Sequence, residues 1–148
     1  MKITVVRFLT RGQVMKEIRR FERLRCRPED ALRTGRISGV EFERWRSLLH
    51  ALEAYEEGEG IEVMLEEQFS SIRLLRKVLT ERRLRLLEQI GLGASSITEL
   101  ANKTGPRDIK NVYDDLKILE GLGLVALERA GNKVVPRLLL SDIHIGFQ

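Results

Sequence analysis

The segment LANKTGPRDIKNVYDDLKILEGLGLV, Leu100 to Val125, decides how the chain is read. It holds two amphipathic stretches joined by a sharp break. Just before it, Ser96-Ile97-Thr98-Glu99 has the form of a capping box. A hydroxyl at the cap and a carboxylate three residues on satisfy free amides of a first helical turn. Ile97, Leu100 and Ala101 then share an inward face. Ala101 and Gly105 are four apart, which suits a close approach of two helices and a turn needing positive φ. Pro106 fits the opening turn of the next helix, where its missing N–H costs nothing. From Asp108 to Glu120, Ile109, Val112, Leu116 and Leu119 recur at spacings of three, four and three and predict one buried face. The opposite side carries Lys110, Asn111, Tyr113, Asp114 and Lys117.

Upstream, Thr80 is placed to cap a helix over Glu81–Ile90 with Leu84, Leu87 and Ile90 inward, stopped by Gly91-Leu92-Gly93. Downstream, Leu122-Gly123-Leu124-Val125 ends a helix and opens a strand. Gly131-Asn132 is a hairpin turn signal. Val134 to Leu140 is the return strand, with Pro136 tolerated at an edge. Three helices followed by a β-hairpin is the order of a winged helix.

The first half reads differently. Lys2 to Leu9 is β-rich and predicts a leading strand. Gln13 to Arg25 predicts a helix with Val14, Ile18, Phe21 and Leu24 on one face and Arg19, Arg20, Arg23 and Arg25 on others. Pro28 to Arg33 can open a short helix. Ser38 and Glu41 form a second capping box ahead of a helix over Val40–Glu57, striped by Phe42, Trp45, Leu48, Leu49, Leu52 and Tyr55. Glu56-Glu57-Gly58-Glu59-Gly60 reads as an acidic hinge. Ile61 to Leu79 reads as a further helix, with Met64, Leu65, Phe69, Ile72, Leu75 and Leu79 on one side. The expected fold is mainly α with small β: a C-terminal winged helix-turn-helix over 80–148, a connecting helix over 61–79, and a helical N-terminal extension with a leading strand over 1–60. The closing Ile143, Ile145 and Phe147 alternate as in a strand, which can pair with the opening ITVVRF or with a neighbouring subunit.

The 148 residues carry a net charge of +4. The charge is banded, with 13 cations against 6 acids from Lys2 to Arg46 and 7 acids without a cation from Glu53 to Glu67. From Arg73 to Glu88 there are 6 cations against 2 acids. A basic band either attracts phosphates or is a solvated helix face. No apolar run approaches a membrane span. The opening MKITVVRFLTRG lacks the long apolar stretch of a signal peptide, so a cytoplasmic location is expected.

The second half resembles winged-helix transcriptional regulators related to the MarR-like regulators of archaea and bacteria. The resemblance rests on Leu79-Thr80 with Arg83, Leu86 and Leu87, then Ile97 and Glu99-Leu100-Ala101. It continues through Asp108, Lys110-Asn111-Val112, Asp115, Lys117, Leu119-Glu120, Gly123-Leu124-Val125 and Val135-Pro136. Pro106 departs from the pattern as one extra residue in the turn. The resemblance implies binding of double-stranded DNA by a dimer. Arg107, Lys110, Asn111, Tyr113, Asp114 and Lys117 would act from the second helix, Arg129, Asn132 and Lys133 from the wing, and Arg82 and Arg83 from the preceding helix. Some members of that family sit beside a toxin gene and serve as antitoxins, so a toxin protein is an alternative partner.

The second helix with its lead-in is not basic: Arg107, Lys110 and Lys117 face Asp108, Asp114, Asp115 and Glu120. A protein-interaction module without DNA contact is therefore the other alternative. Trp45 reads as core or dimer interface, and Leu49, Leu52, Phe69 and Ile72 are the further dimer candidates. Cys26 excludes an internal disulfide and reads as structural rather than redox-active. One cysteine with His50 and His144 far apart makes no metal cluster, and no phosphate loop or nucleophile elbow appears. Neither an enzyme nor a cofactor is expected.

Overall fold

A computed structural model describes residues 1–56, 62–69, 72–93, 96–103 and 109–147. The chain divides into two compact units, 1–70 with 142–148, and 71–141. Seven helices and two small sheets occupy the described residues. Among the described residues, no helix is long and apolar enough to cross a membrane.

The first unit is organised around β1, Lys2–Thr10. Its β-branched residues favour the extended chain. Ile3, Val5, Arg7 and Leu9 alternate onto one pleat face, and all four are buried. Thr10 ends the strand and caps α1, Arg11–Glu22, by accepting from the Gln13 N–H at 3.2 Å. Val14 and Ile18 are buried on α1, as their spacing predicts. So are Gln13 and Glu17, and the reason is Arg7. Its guanidinium, fully buried, donates to both Glu17 oxygens at 3.0 and 3.1 Å, and Gln13 Nε2 donates to Glu17 Oε2 at 2.9 Å. The ion pair joins strand to helix where an isolated charge would be untenable.

α1 stops at Glu22, short of the expected Arg25, and the chain turns at Arg25, whose φ of 54° is left-handed and whose N–H donates to the Glu22 carbonyl at 3.0 Å. α2, Pro28–Arg33, starts with proline in its first turn. Ser38 and Glu41 make both arms of the expected capping box, each at 3.1 Å, ahead of α3, Gly39–Glu56. Trp45 stacks on Phe21 at 5.1 Å between ring centres and packs with Ala31 and Ile37. It is therefore core of its own unit rather than a dimer surface. Leu52 is half-buried, and Leu49 is exposed. Tyr55 donates its hydroxyl to the Leu9 carbonyl.

The predicted helix over 61–79 is instead β2, Glu62–Phe69, followed by α4, Ile72–Val78. β2 pairs antiparallel with β1, from Ile3 opposite Phe69 to Thr10 opposite Glu62. The strand partner lies over fifty residues upstream, beyond the reach of a local period count. Val63, Leu65 and Phe69 also recur at even spacing, so the segment satisfies both periods. The acidic hinge falls largely on residues 57–61, outside the described residues. Ile72 is exposed on α4. The sheet order is β2-β1-β5, so the closing strand β5, Leu140–Gly146, pairs with the opening one inside the same chain.

The second unit holds α4, then α5 (Glu81–Gly91), α6 (Ile97–Lys103) and α7 (Ile109–Gly121). A hairpin of β3 (Val125–Ala130) and β4 (Lys133–Leu138) follows. Thr80 caps α5 at the Arg83 N–H. Ser96 caps α6 at the Glu99 N–H. Lys103 also pairs with Glu99 at 2.7 Å. Gly123, at φ +77°, closes α7. Its N–H returns to Glu120 O and that of Leu124 to Leu119 O. Gly131, at φ +65°, makes the hairpin turn with Asn132. Pro136 sits opposite Leu127 in a two-stranded sheet, where every strand has an open edge. On α5 the buried face is Leu86, Leu87 and Ile90, while Leu84 is 41% exposed rather than inward.

Two stability measurements follow for the first unit. Glu17→Ala leaves the Arg7 charge uncompensated and should cost about 3–5 kcal/mol in urea unfolding, whereas Arg7→Met with Glu17→Leu should recover most of that loss. A left-handed arginine costs about 1–2 kcal/mol, partly offset by the extra unfolded-state entropy of glycine. Arg25→Gly should accordingly raise stability by roughly 0.5–1 kcal/mol.

Candidate nucleic-acid interface

The expected site residues separate into three groups. Lys110, Tyr113, Asp114 and Lys117 are exposed on α7. Their spacing of three, four and seven puts them on one stripe. Asn111 is exposed on its flank, a helical step of 100° away from Lys110. Within the stripe, Lys117 donates to Glu120 at 3.0 Å and lies 5.8 Å from the Tyr113 ring centre.

The second group comes from the hairpin. Asn132 and Lys133 meet α7 and the start of α6 at a cleft lined by Ser96, Ile97, Thr98, Ile109, Lys110, Tyr113, Asn132, Lys133 and Val134. Among the described residues, two ammonium groups and no carboxylate line it. Its walls come from three elements far apart in sequence. The cleft explains a departure from the periodic reading: Ile109 is 50% exposed, because its place at the start of α7 opens on this cleft rather than on the core. Arg129 is exposed on β3 but does not line the cleft.

The third group has another task. Arg82 and Arg83, expected at the DNA surface, turn to Asp115. Arg82 makes a two-pronged contact, Nε to Oδ2 at 3.0 Å and Nη2 to Oδ1 at 3.2 Å. Arg83 Nε reaches Oδ1 at 3.4 Å, and its Nη1 donates to the Lys77 carbonyl. Asp115 is 2% exposed and lies on the apolar face of α7 with Val112, Leu116 and Leu119. A buried carboxylate demands such partners, and the planar guanidinium fork supplies them. Arg83 shares a face with Leu86, Leu87 and Ile90, so its bond to Asp115 also accounts for the rotation that leaves Leu84 outside.

Arg107, Gly105 and Pro106 lie outside the described residues. Local sequence does not mark Ser96, Ile97, Thr98 and Val134 as cleft walls or Arg82 and Arg83 as anchors of Asp115. The wall residues had no signal of their own. The anchor had one: Asp115 interrupts an apolar spacing, and a charge in such a stripe calls for a partner.

Removing the buried acceptor should cost more than removing its more exposed donor. Asp115→Ala should lower stability by about 2–4 kcal/mol in urea unfolding. Arg82→Ala should cost about 1 kcal/mol, since Arg83 still holds the carboxylate.

Residues 78–145 match the profile of a family described as HVO_A0114. The matched stretch runs from the end of α4 through most of β5 and includes Asp115, both its arginine partners and every residue lining the cleft. No curated protein and no solved structure matches the chain.

Proposed function

We propose that the protein is a sequence-specific DNA-binding transcriptional regulator that works as a dimer through a winged helix. The observation that carries this reading is the meeting of the exposed α7 stripe and the hairpin tip at a cleft with Lys110 and Lys133 on its walls. In this reading α7 enters the major groove. Asn111 has the paired donor and acceptor that match an adenine edge, and Lys110 has the donor that matches guanine. Lys133 and Asn132 on the hairpin contact phosphates, which set position rather than sequence. No chemistry is asked of the protein: occupancy of a site is its output. Two copies related by a two-fold axis would set their reading helices about one DNA turn apart.

The charge of α7 favours a second reading. Lys117 is engaged by Glu120, and Asp114 stands on the same stripe. A surface so nearly neutral also suits a protein partner, and an antitoxin that holds a toxin is one form of that reading.

Selection from a random duplex pool separates the two. The parent chain should enrich a two-fold site and lose affinity steeply with salt. Lys110→Ala with Asn111→Ala should abolish the sequence preference. Lys133→Ala should weaken binding to all sequences alike and lower the slope of log affinity against log salt by about 0.9. If no site is enriched and binding ignores all three residues, the DNA-reading assignment fails and the protein-partner reading takes its place.

A further inference from the structure

We infer that α1 carries a second, sequence-independent contact surface for the phosphate backbone of duplex DNA. Val14, Ile18, Gln13 and Glu17 are buried on the inner side of this helix. At 100° per residue, Lys16, Arg19 and Arg23 fall on the opposite side as one ridge, with Arg20 beside it. All four are exposed. At 1.5 Å of rise per residue the ridge runs about 10 Å along the helix. Duplex DNA carries one phosphate charge for roughly every 1.7 Å of its axis, so a ridge of that length faces several.

The crowding of four exposed cations within eight residues marks this ridge. Several other surface cations have a carboxylate close by: Arg27 and Arg33 share Asp30, Arg85 takes Glu81, Lys103 takes Glu99, and Arg137 takes Glu128. Lys16, Arg19, Arg20 and Arg23 make no ion pair among the described residues. They face one another instead: Lys16 with Arg20 and Arg19 with Arg23 at four apart, Lys16 with Arg19 and Arg20 with Arg23 at three. Like charges at these spacings destabilise a helix. A favourable end-of-helix effect needs only cations in the last turn, which Arg19 and Arg20 already supply. The remaining repulsion is relieved by an outside polyanion.

Phosphate suits this surface better than a membrane. Three of the four groups are guanidinium, whose fork matches phosphate oxygens. A membrane-surface helix would set large apolar residues beside its cations. α1 exposes none, its outer side holding Gly12 and Glu22 besides cations. The choice of DNA over an acidic protein rests on the proposed function, in which the near-neutral α7 needs phosphate contacts from elsewhere.

The test uses the full chain, mixed-sequence duplexes and anionic phosphatidylserine vesicles, titrated over a range of salt. Lys16→Gln with Arg19→Gln and Arg23→Gln should keep or slightly raise the melting temperature, since it relieves like-charge repulsion. It should lower the log–log salt slope by about 2.7, three contacts at 0.9 each, and weaken duplex binding at least tenfold near 0.1 M salt. Arg19→Lys with Arg23→Lys should keep the slope, because the charge count is unchanged. A parent that enriches a site and keeps its slope in the triple variant overturns the ridge alone. A parent that binds all duplexes alike yet loses slope in the triple variant supports the ridge and refutes base reading by α7. A parent without duplex affinity refutes both. Loss confined to vesicle binding overturns the choice of DNA.

Discussion

Asp115 places a carboxylate among Val112, Leu116 and Leu119, where water cannot solvate it. Left alone it would cost several kcal/mol. The fork of Arg82 and the Nε of Arg83 meet that demand, and in doing so they tie α5 to α7 at one rotation. Each residue turns a helix by 100°, so a rotation set at Asp115 also sets where every other α7 side chain goes. Lys110, Tyr113, Asp114 and Lys117 are outside because Asp115 is inside. The clamp thus sets the exposed face of α7 without touching it. It also engages Arg82 and Arg83 with a carboxylate.

The first unit uses the same device with the signs exchanged. A guanidinium is fully buried on the inner face of β1, and a carboxylate from α1 comes to it. Gln13 takes a remaining lone pair of Glu17. Buried ion pairs of this sort give little net stability against an apolar replacement. Their effect here is orientation. With Glu17 turned to the strand, the Lys16, Arg19 and Arg23 side of α1 faces outward.

Features set by a few adjacent residues were legible. The Ser38–Glu41 box, the Thr80 and Ser96 caps, proline at the start of α2, the glycine stop at Gly123 and the Gly131-Asn132 turn all occur where their chemistry predicts. Each depends on the conformational range of one residue or on an amide one turn away. The reading failed where two local patterns coexisted. Residues 62–69 satisfy a helical and a strand period together, and pairing with β1 selects the strand. On α5, Leu84 and Leu86 flank Leu87 on opposite sides, so spacing alone could not choose which of them is buried with it.

Local sequence therefore specified the caps, the turns, the order of three helices and a hairpin, and the exposed stripe on α7. Backbone amides and side chains within one turn decide these, and both are written in consecutive residues. Which helix face is buried, which arginines are structural, which strand lies beside β1 and which side chains share the cleft came only with the tertiary fold. Those outcomes depend on the cost of burying a charge without its partner, and the partners of Asp115 and Arg7 lie 33 or 32 and 10 residues away along the chain.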